Sequence, residues 1–151
     1  MTFDPGQIVD ERFEIITRLG GNQVGSTSKA RTLDGDREVV IKKLHRQTDD
    51  GMELQLQKAQ AAQQLSQMCD EILTVEEVAV HEQDVFQVLP LLPSRSLRRQ
   101  QPPKPQSTNQ DDAPLYFRED FDWLTRVARA LDFLAEQDTI HGDVKPNQHF
   151  V

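Results

Sequence analysis

Lys42 carries the plainest chemistry in this sequence. It sets an ammonium into an apolar run, Val39-Val40-Ile41-Lys42, with Leu44 two residues beyond. In an isolated edge strand such a lysine snorkels to water; otherwise it is a fixed cation offered to an anion. Upstream stands Gly20-Gly21-Asn22-Gln23-Val24-Gly25. A loop that covers polyphosphate needs small residues, so that backbone N–H groups reach the oxygens without a Cβ in the way. Asn22 is among the residues that best tolerate left-handed backbone. At the far end, His141, Asp143, Lys145 and Gln148 fall within the last eleven residues. A histidine two residues before an aspartate arises too often by chance to carry an argument alone.

The elements that must position these groups can be read from patterning. Phe13 to Leu19 alternates apolar and polar residues as a strand does, the glycine loop follows, and Ser26 to Leu33 reads as a second strand. Strand, glycine loop, strand is a hairpin over phosphate, whereas a dinucleotide fold continues from the loop into a helix. Asp34-Gly35 supplies a tight turn before the strand of Lys42. A helix is predicted over about Gly51 to Met68, capped from Thr48-Asp49-Asp50, with Leu54, Ala61 and Leu65 on or near one face. Ile72 to Val80 and Val85 to Leu89 read as two strands joined by Glu82-Gln83-Asp84. Residues Ser94 to Asp112, rich in proline and polar amides, cannot bury enough surface to offset chain entropy and read as a flexible linker. A last amphipathic helix is predicted from Phe117 to Gln137, with Phe121, Leu124, Val127, Leu131 and Leu134 at intervals of three and four.

In this order and spacing, the glycine hairpin, Val39-Val40-Ile41-Lys42 and His141-Gly142-Asp143-Val144-Lys145-Pro146-Asn147-Gln148 together resemble the eukaryotic-type protein serine/threonine kinases. The resemblance implies an α+β fold. A five-stranded antiparallel sheet with one helix forms an N-lobe with its hinge at 1–93, an insert occupies 94–116, and 117–151 begins an incomplete helical C-lobe. It implies ATP and Mg²⁺ as cofactors, contacted by Leu19, Gly20, Asn22, Gly25, Val40, Lys42, Pro90 and Leu92, the last two through hinge backbone groups. Leu89 falls at the residue guarding the adenine slot. Asp143 would accept the substrate hydroxyl proton, Lys145 marks the serine/threonine branch, and Gln148 stands at a metal position that the family fills with Asn.

The departures matter as much as the matches. Gly142 replaces the arginine that reads activation-loop phosphorylation. The family's helix glutamate, which pairs with the strand lysine, falls at Lys58 here. Two ammonium groups at ~4 Å would repel by about 4 kcal/mol at an effective dielectric near 20. Glu53 lies five positions earlier, about 140° around the helix, and cannot face the same partner. The expectation is that Lys58 points to solvent, the helix is swung out and the ion pair is absent. Three readings follow: a kinase transferring phosphoryl from ATP to protein Ser or Thr in the complete protein, a pseudokinase serving as nucleotide-binding or scaffolding module, and an inactive fragment ending before the Asp-Phe-Gly.

Composition narrows the class further. Net charge is −8, with acids and bases interspersed, which argues against nucleic acid or an anionic membrane as main partner and leaves protein substrates or partners. A lone Cys69 forms no internal disulfide and suits a reducing cytoplasm. No secretion signal and no bilayer-spanning run is evident. The histidines at 45, 81, 141 and 149 have no metal-ligand spacing.

Overall fold

The structure, a computed structural model, describes residues 2–46, 51–93 and 113–141, and in the last stretch the side chains of 122 and of 124 onward. It divides into two compact units, Met1–Leu91 and Leu92–Val151.

The first unit is a six-stranded antiparallel sheet with one helix. Its strands are β1 (Ile8–Val9), β2 (Phe13–Gly21), β3 (Gly25–Thr32), β4 (Glu38–Leu44), β5 (Glu77–His81) and β6 (Asp84–Pro90), in the spatial order β1-β2-β3-β4-β6-β5. Five strands match the reading of the sequence, and the two-residue β1 is an addition. The turn before β4 is as read, with Gly35 at φ 78° and its N–H on the Thr32 carbonyl at 2.8 Å. One strand is shorter than predicted. Residues Ile72–Glu76 do not extend β5, because the Val75 N–H donates to Ser66 Oγ on the helix at 2.9 Å.

The sheet curls until its two edges meet. Arg12, in the turn after β1, donates through Nη2 to Glu77 Oε1 at 2.6 Å and through Nη1 to Oε2 at 3.1 Å. The Asp10 N–H donates to His81 Nδ1 at 3.0 Å. Inside the curl lies one apolar cluster: Phe3, Val9, Phe13, Ile15, Ala30, Val39, Ile41, Phe86 and Val88. Phe3 and Phe13 each meet Phe86 edge to face, at 6.3 and 6.4 Å between centroids, an arrangement that suits the ring quadrupoles. Period two on β4 therefore sends Val39 and Ile41 into this core, and Val40 and Lys42 to the opposite face.

Helix α1 (Met52–Met68) packs on β5 and β6. Its N-cap is Gly51, with no side-chain hydrogen bond; Thr48-Asp49-Asp50, from which a cap was predicted, lie outside the described residues. The predicted stripe is displaced: Leu54 is 42% exposed, Ala61 is exposed, and the buried residues are Gln55, Ala59 and Ser66. Polar contacts help to seat the helix beside the half-buried Leu56 and Leu65. Gln87 Nε2 donates to the Ala59 carbonyl at 3.5 Å, Gln63 Nε2 to the Glu76 carbonyl at 2.9 Å, and Ser66 Oγ to the Gln63 carbonyl at 2.7 Å.

In the second unit, α2 spans Ala113–Glu136. It starts four residues before the predicted Phe117, with Pro114 tolerated in a first turn whose N–H groups have no helical partner. Asp138, in left-handed backbone at φ 53°, follows its end, where the Thr139 N–H reaches the Leu134 carbonyl at 2.8 Å. Leu124 and Leu131 stand exposed, and Val127 and Leu134 are half-buried.

Candidate functional site

The glycine hairpin closes through its own polar groups. The Asn22 N–H donates to the Gly25 carbonyl at 2.8 Å. Asn22 Oδ1 accepts from the N–H groups of Val24 at 2.9 Å and Gly25 at 3.1 Å. Two donors of the kind that would face a phosphate are therefore engaged by a side-chain amide. Gly25 has a packing reason as well, since a Cβ there would lie 2.6 Å from the Lys43 carbonyl oxygen on β4. Gly20 has open space where a Cβ would go, so close approach does not require glycine there. Ahead of the loop, β2 carries register shifts at Ile15/Thr17 and Arg18/Gly20, the second of which leaves Leu19 unpaired and exposed.

Lys42 sits on the middle of β4, opposite Thr27 on β3 and Gln87 on β6. It is half-buried, and its ammonium has no ion pair among the described residues. Val40 is its neighbour on the same face, opposite Lys29 and Leu89. Lys29 is held by Glu38 at 2.9 Å. The hairpin base, Val40, Lys42 and Leu89 thus come together on adjoining strands. Pro90 ends β6 opposite Val39, and Leu92 opens the second unit. Asp143, Lys145 and Gln148 lie outside the described residues, and His141, just before them, is exposed.

Lys58 is exposed, as expected, and α1 packs on β5 and β6. Its buried face carries Gln55, Ala59 and Ser66, with no carboxylate. Neutral amides and a hydroxyl hold the helix where an ion pair was sought.

Lys43 is a residue that the sequence reading passed over. It is 6% exposed on the core side of β4, with Nζ 2.7 Å from Asp84 Oδ2 and 4.7 Å from the centre of the Phe3 ring. A second consecutive lysine looks like surface in a sequence; strand alternation alone could have flagged it. Among the described residues no group of three or more His, Cys, Asp or Glu side chains is placed to hold a metal, and no helix is long and apolar enough to cross a membrane.

Comparison with known proteins fits this geometry. A family model described as protein tyrosine and serine/threonine kinase matches residues 13–148. No curated protein matches. Among solved structures, the Mycobacterium tuberculosis PknI kinase domain is similar with a TM-score of 0.64 and 17% identity, over 97% of this chain and 58% of that one. A double mutant of the same PknI domain gives 0.68 and 17%, over 97% and 57%. A single mutant of it gives 0.66 and 17%, over 97% and 57%. The chain therefore spans less than three-fifths of these kinase domains, and the likeness is one of fold.

Proposed function

We propose, for a chain that belongs to the protein tyrosine and serine/threonine kinase family, that Met1–Leu91 is the nucleotide-holding part of a protein serine/threonine kinase. Lys42 carries this reading. A half-buried ammonium without an ion pair among the described residues is a cation placed where an anion would relieve its desolvation. Lys42 would hold phosphate oxygens, Leu19, Gly20 and Gly25 would cover them from the hairpin, and Val40 would flank the base. The backbone carbonyl of Pro90 would meet the adenine edge. ATP, with Mg²⁺, supplies the transferable phosphoryl group; in the complete protein Asp143 would take the proton from a Ser or Thr hydroxyl of a protein substrate, beside Lys145. Gln148 offers the metal an amide on a longer arm than the family's asparagine. A lone Cys69 supports a cytoplasmic setting.

The test is thermal unfolding with and without millimolar ATP and Mg²⁺. Binding raises Tm by mass action. Lys42→Met should remove the shift while leaving the nucleotide-free Tm in place. No shift in the unaltered chain would end the nucleotide reading.

A second reading, a pseudokinase that binds partners or nucleotide without transfer, is favoured by the Asn22 bonds and by the carboxylate-free buried face of α1. Incubating the complete protein with labelled ATP and a mixed protein substrate separates the two. Label transfer that disappears with Asp143→Asn supports the kinase, and nucleotide binding without transfer supports the scaffold.

A further inference from the structure

Beside the β5–β6 turn lies a cleft of about 670 Å³, lined by Lys43, His45, Arg46, Glu82, Gln83 and Asp84. None of these side chains is apolar, so a greasy guest has nothing to bury against. His45 Nε2 is shut from solvent and has no hydrogen-bond partner. Ser26 Oγ is a second such atom, in a residue 1% exposed, and Ser26 lies directly opposite Lys43 on the next strand. Two of the three buried polar side-chain atoms left unpaired among the described residues therefore gather at this end of the sheet. Buried polar atoms are rarely left unmade, and such a grouping beside a cleft calls for a cause.

The charges of the lining decide what fits. Lys43 and Asp84 stand 2.7 Å apart and cancel. Arg46 is anchored, its Nη2 donating to the Gln83 carbonyl at 2.6 Å, and its guanidinium keeps further N–H groups for another acceptor. Glu82, the acid left over, is exposed in the turn, where water and salt screen it. What the cleft offers is thus an imidazole nitrogen and a fixed guanidinium, both able to donate. Their shared complement is an oxyanion.

We propose that this cleft holds a small oxyanion, of which phosphate is the type, between His45 Nε2 and the Arg46 guanidinium, and that its occupancy steadies the glycine hairpin. The link is the His45 backbone, whose N–H donates to the Val24 carbonyl at 2.8 Å. Val24 in turn donates to Asn22 Oδ1 at 2.9 Å. Fixing the imidazole fixes that backbone, and the hairpin loses freedom with it. Lys43 remains with Asp84. The cleft is reached from the core side of β4, whereas Lys42 lies on the opposite face, so the inference stands without any nucleotide.

The test titrates the full chain with inorganic phosphate at fixed pH, against sodium chloride of equal ionic strength, and follows the His45 imidazole nitrogens by NMR. Phosphate should move the Nε2 signal saturably and chloride should not. Arg46→Gln, a change at an exposed position, should weaken phosphate about five-fold, the upper end for an exposed ion pair. Amide exchange of Val24 and Gly25 should slow at least about two-fold at saturation, as expected when an opening equilibrium is biased toward the closed form. Lys42→Met should leave all of these readings in place. An Nε2 signal that stays put, or that follows chloride equally, overturns the site. So does a response lost in Lys42→Met, which would put the phosphate on the other face of β4. Saturable binding with unchanged exchange at Val24 and Gly25 overturns the coupling to the hairpin.

Discussion

Lys42 and Lys43 are consecutive on β4, yet the two faces of the strand treat the same ammonium in opposite ways. On the core face Lys43 is enclosed by Asp84 and the Phe3 ring, so its charge is matched within the fold. On the α1 face Lys42 stands beside Thr27 and Gln87, neutral neighbours that leave its charge uncompensated among the described residues. A matched buried charge serves structure, because removing either partner strands the other. An unmatched one contributes little to folding and keeps its field for something outside. The difference separates a residue that builds the lobe from one that the lobe presents.

The largest test of this contrast is Lys43→Ala, which leaves Asp84 without its cation and removes a side chain from the core. We expect a loss of about 2–3 kcal/mol in urea unfolding, below the range for fully buried pairs because Asp84 is one-third exposed. Lys42→Met should change stability by less than about 0.5 kcal/mol; comparable losses from the two would erase the distinction. Gly25→Ala comes next. Its Cβ would press on the Lys43 carbonyl, and overpacking of this kind costs about 1–3 kcal/mol, visible as a lower Tm with any nucleotide site weakened alongside.

Smaller effects sharpen the α1 face. Ser66→Ala strands the buried Val75 N–H and should cost about 1 kcal/mol, with faster amide exchange across the end of α1 and Ile72–Glu76. Asn22→Gly should release the N–H groups of Val24 and Gly25 and tighten ATP about three-fold by titration calorimetry, at a stability cost of about 0.5–1 kcal/mol. If affinity falls instead, Asn22 helps to shape the loop for phosphate and does not compete with it.

Much of the sheet was legible because strand alternation and turn chemistry are local. The Phe13-to-Leu19 run, the Asp34-Gly35 turn and the side taken by Lys42 follow from period two and glycine's freedom. Helix α1 was legible in extent and illegible in orientation. Its buried face is made of Gln55, Ala59 and Ser66, which an apolar periodicity cannot detect, so Leu54 and Ala61 were given the wrong role. Ile72–Glu76 was assigned to a strand because its composition is strand-like; a hydroxyl one element away claimed its N–H. Phe3 and Lys43 were missed for another reason: each is buried by partners distant in sequence, Phe86 and Asp84.

The joined edges of the sheet bear on where this folding unit begins. The family match starts at Phe13, but Phe3, Val9, Asp10 and Arg12 precede it and supply part of the core and both cross-edge contacts. A polypeptide begun at the family boundary would leave Phe86 partly uncovered and Glu77 and His81 facing water from an open edge, available to pair with another copy. Fusions, tags and truncations should therefore enter ahead of Thr2, and a shortened version that aggregates would report on its missing leader strand before it reported on any nucleotide.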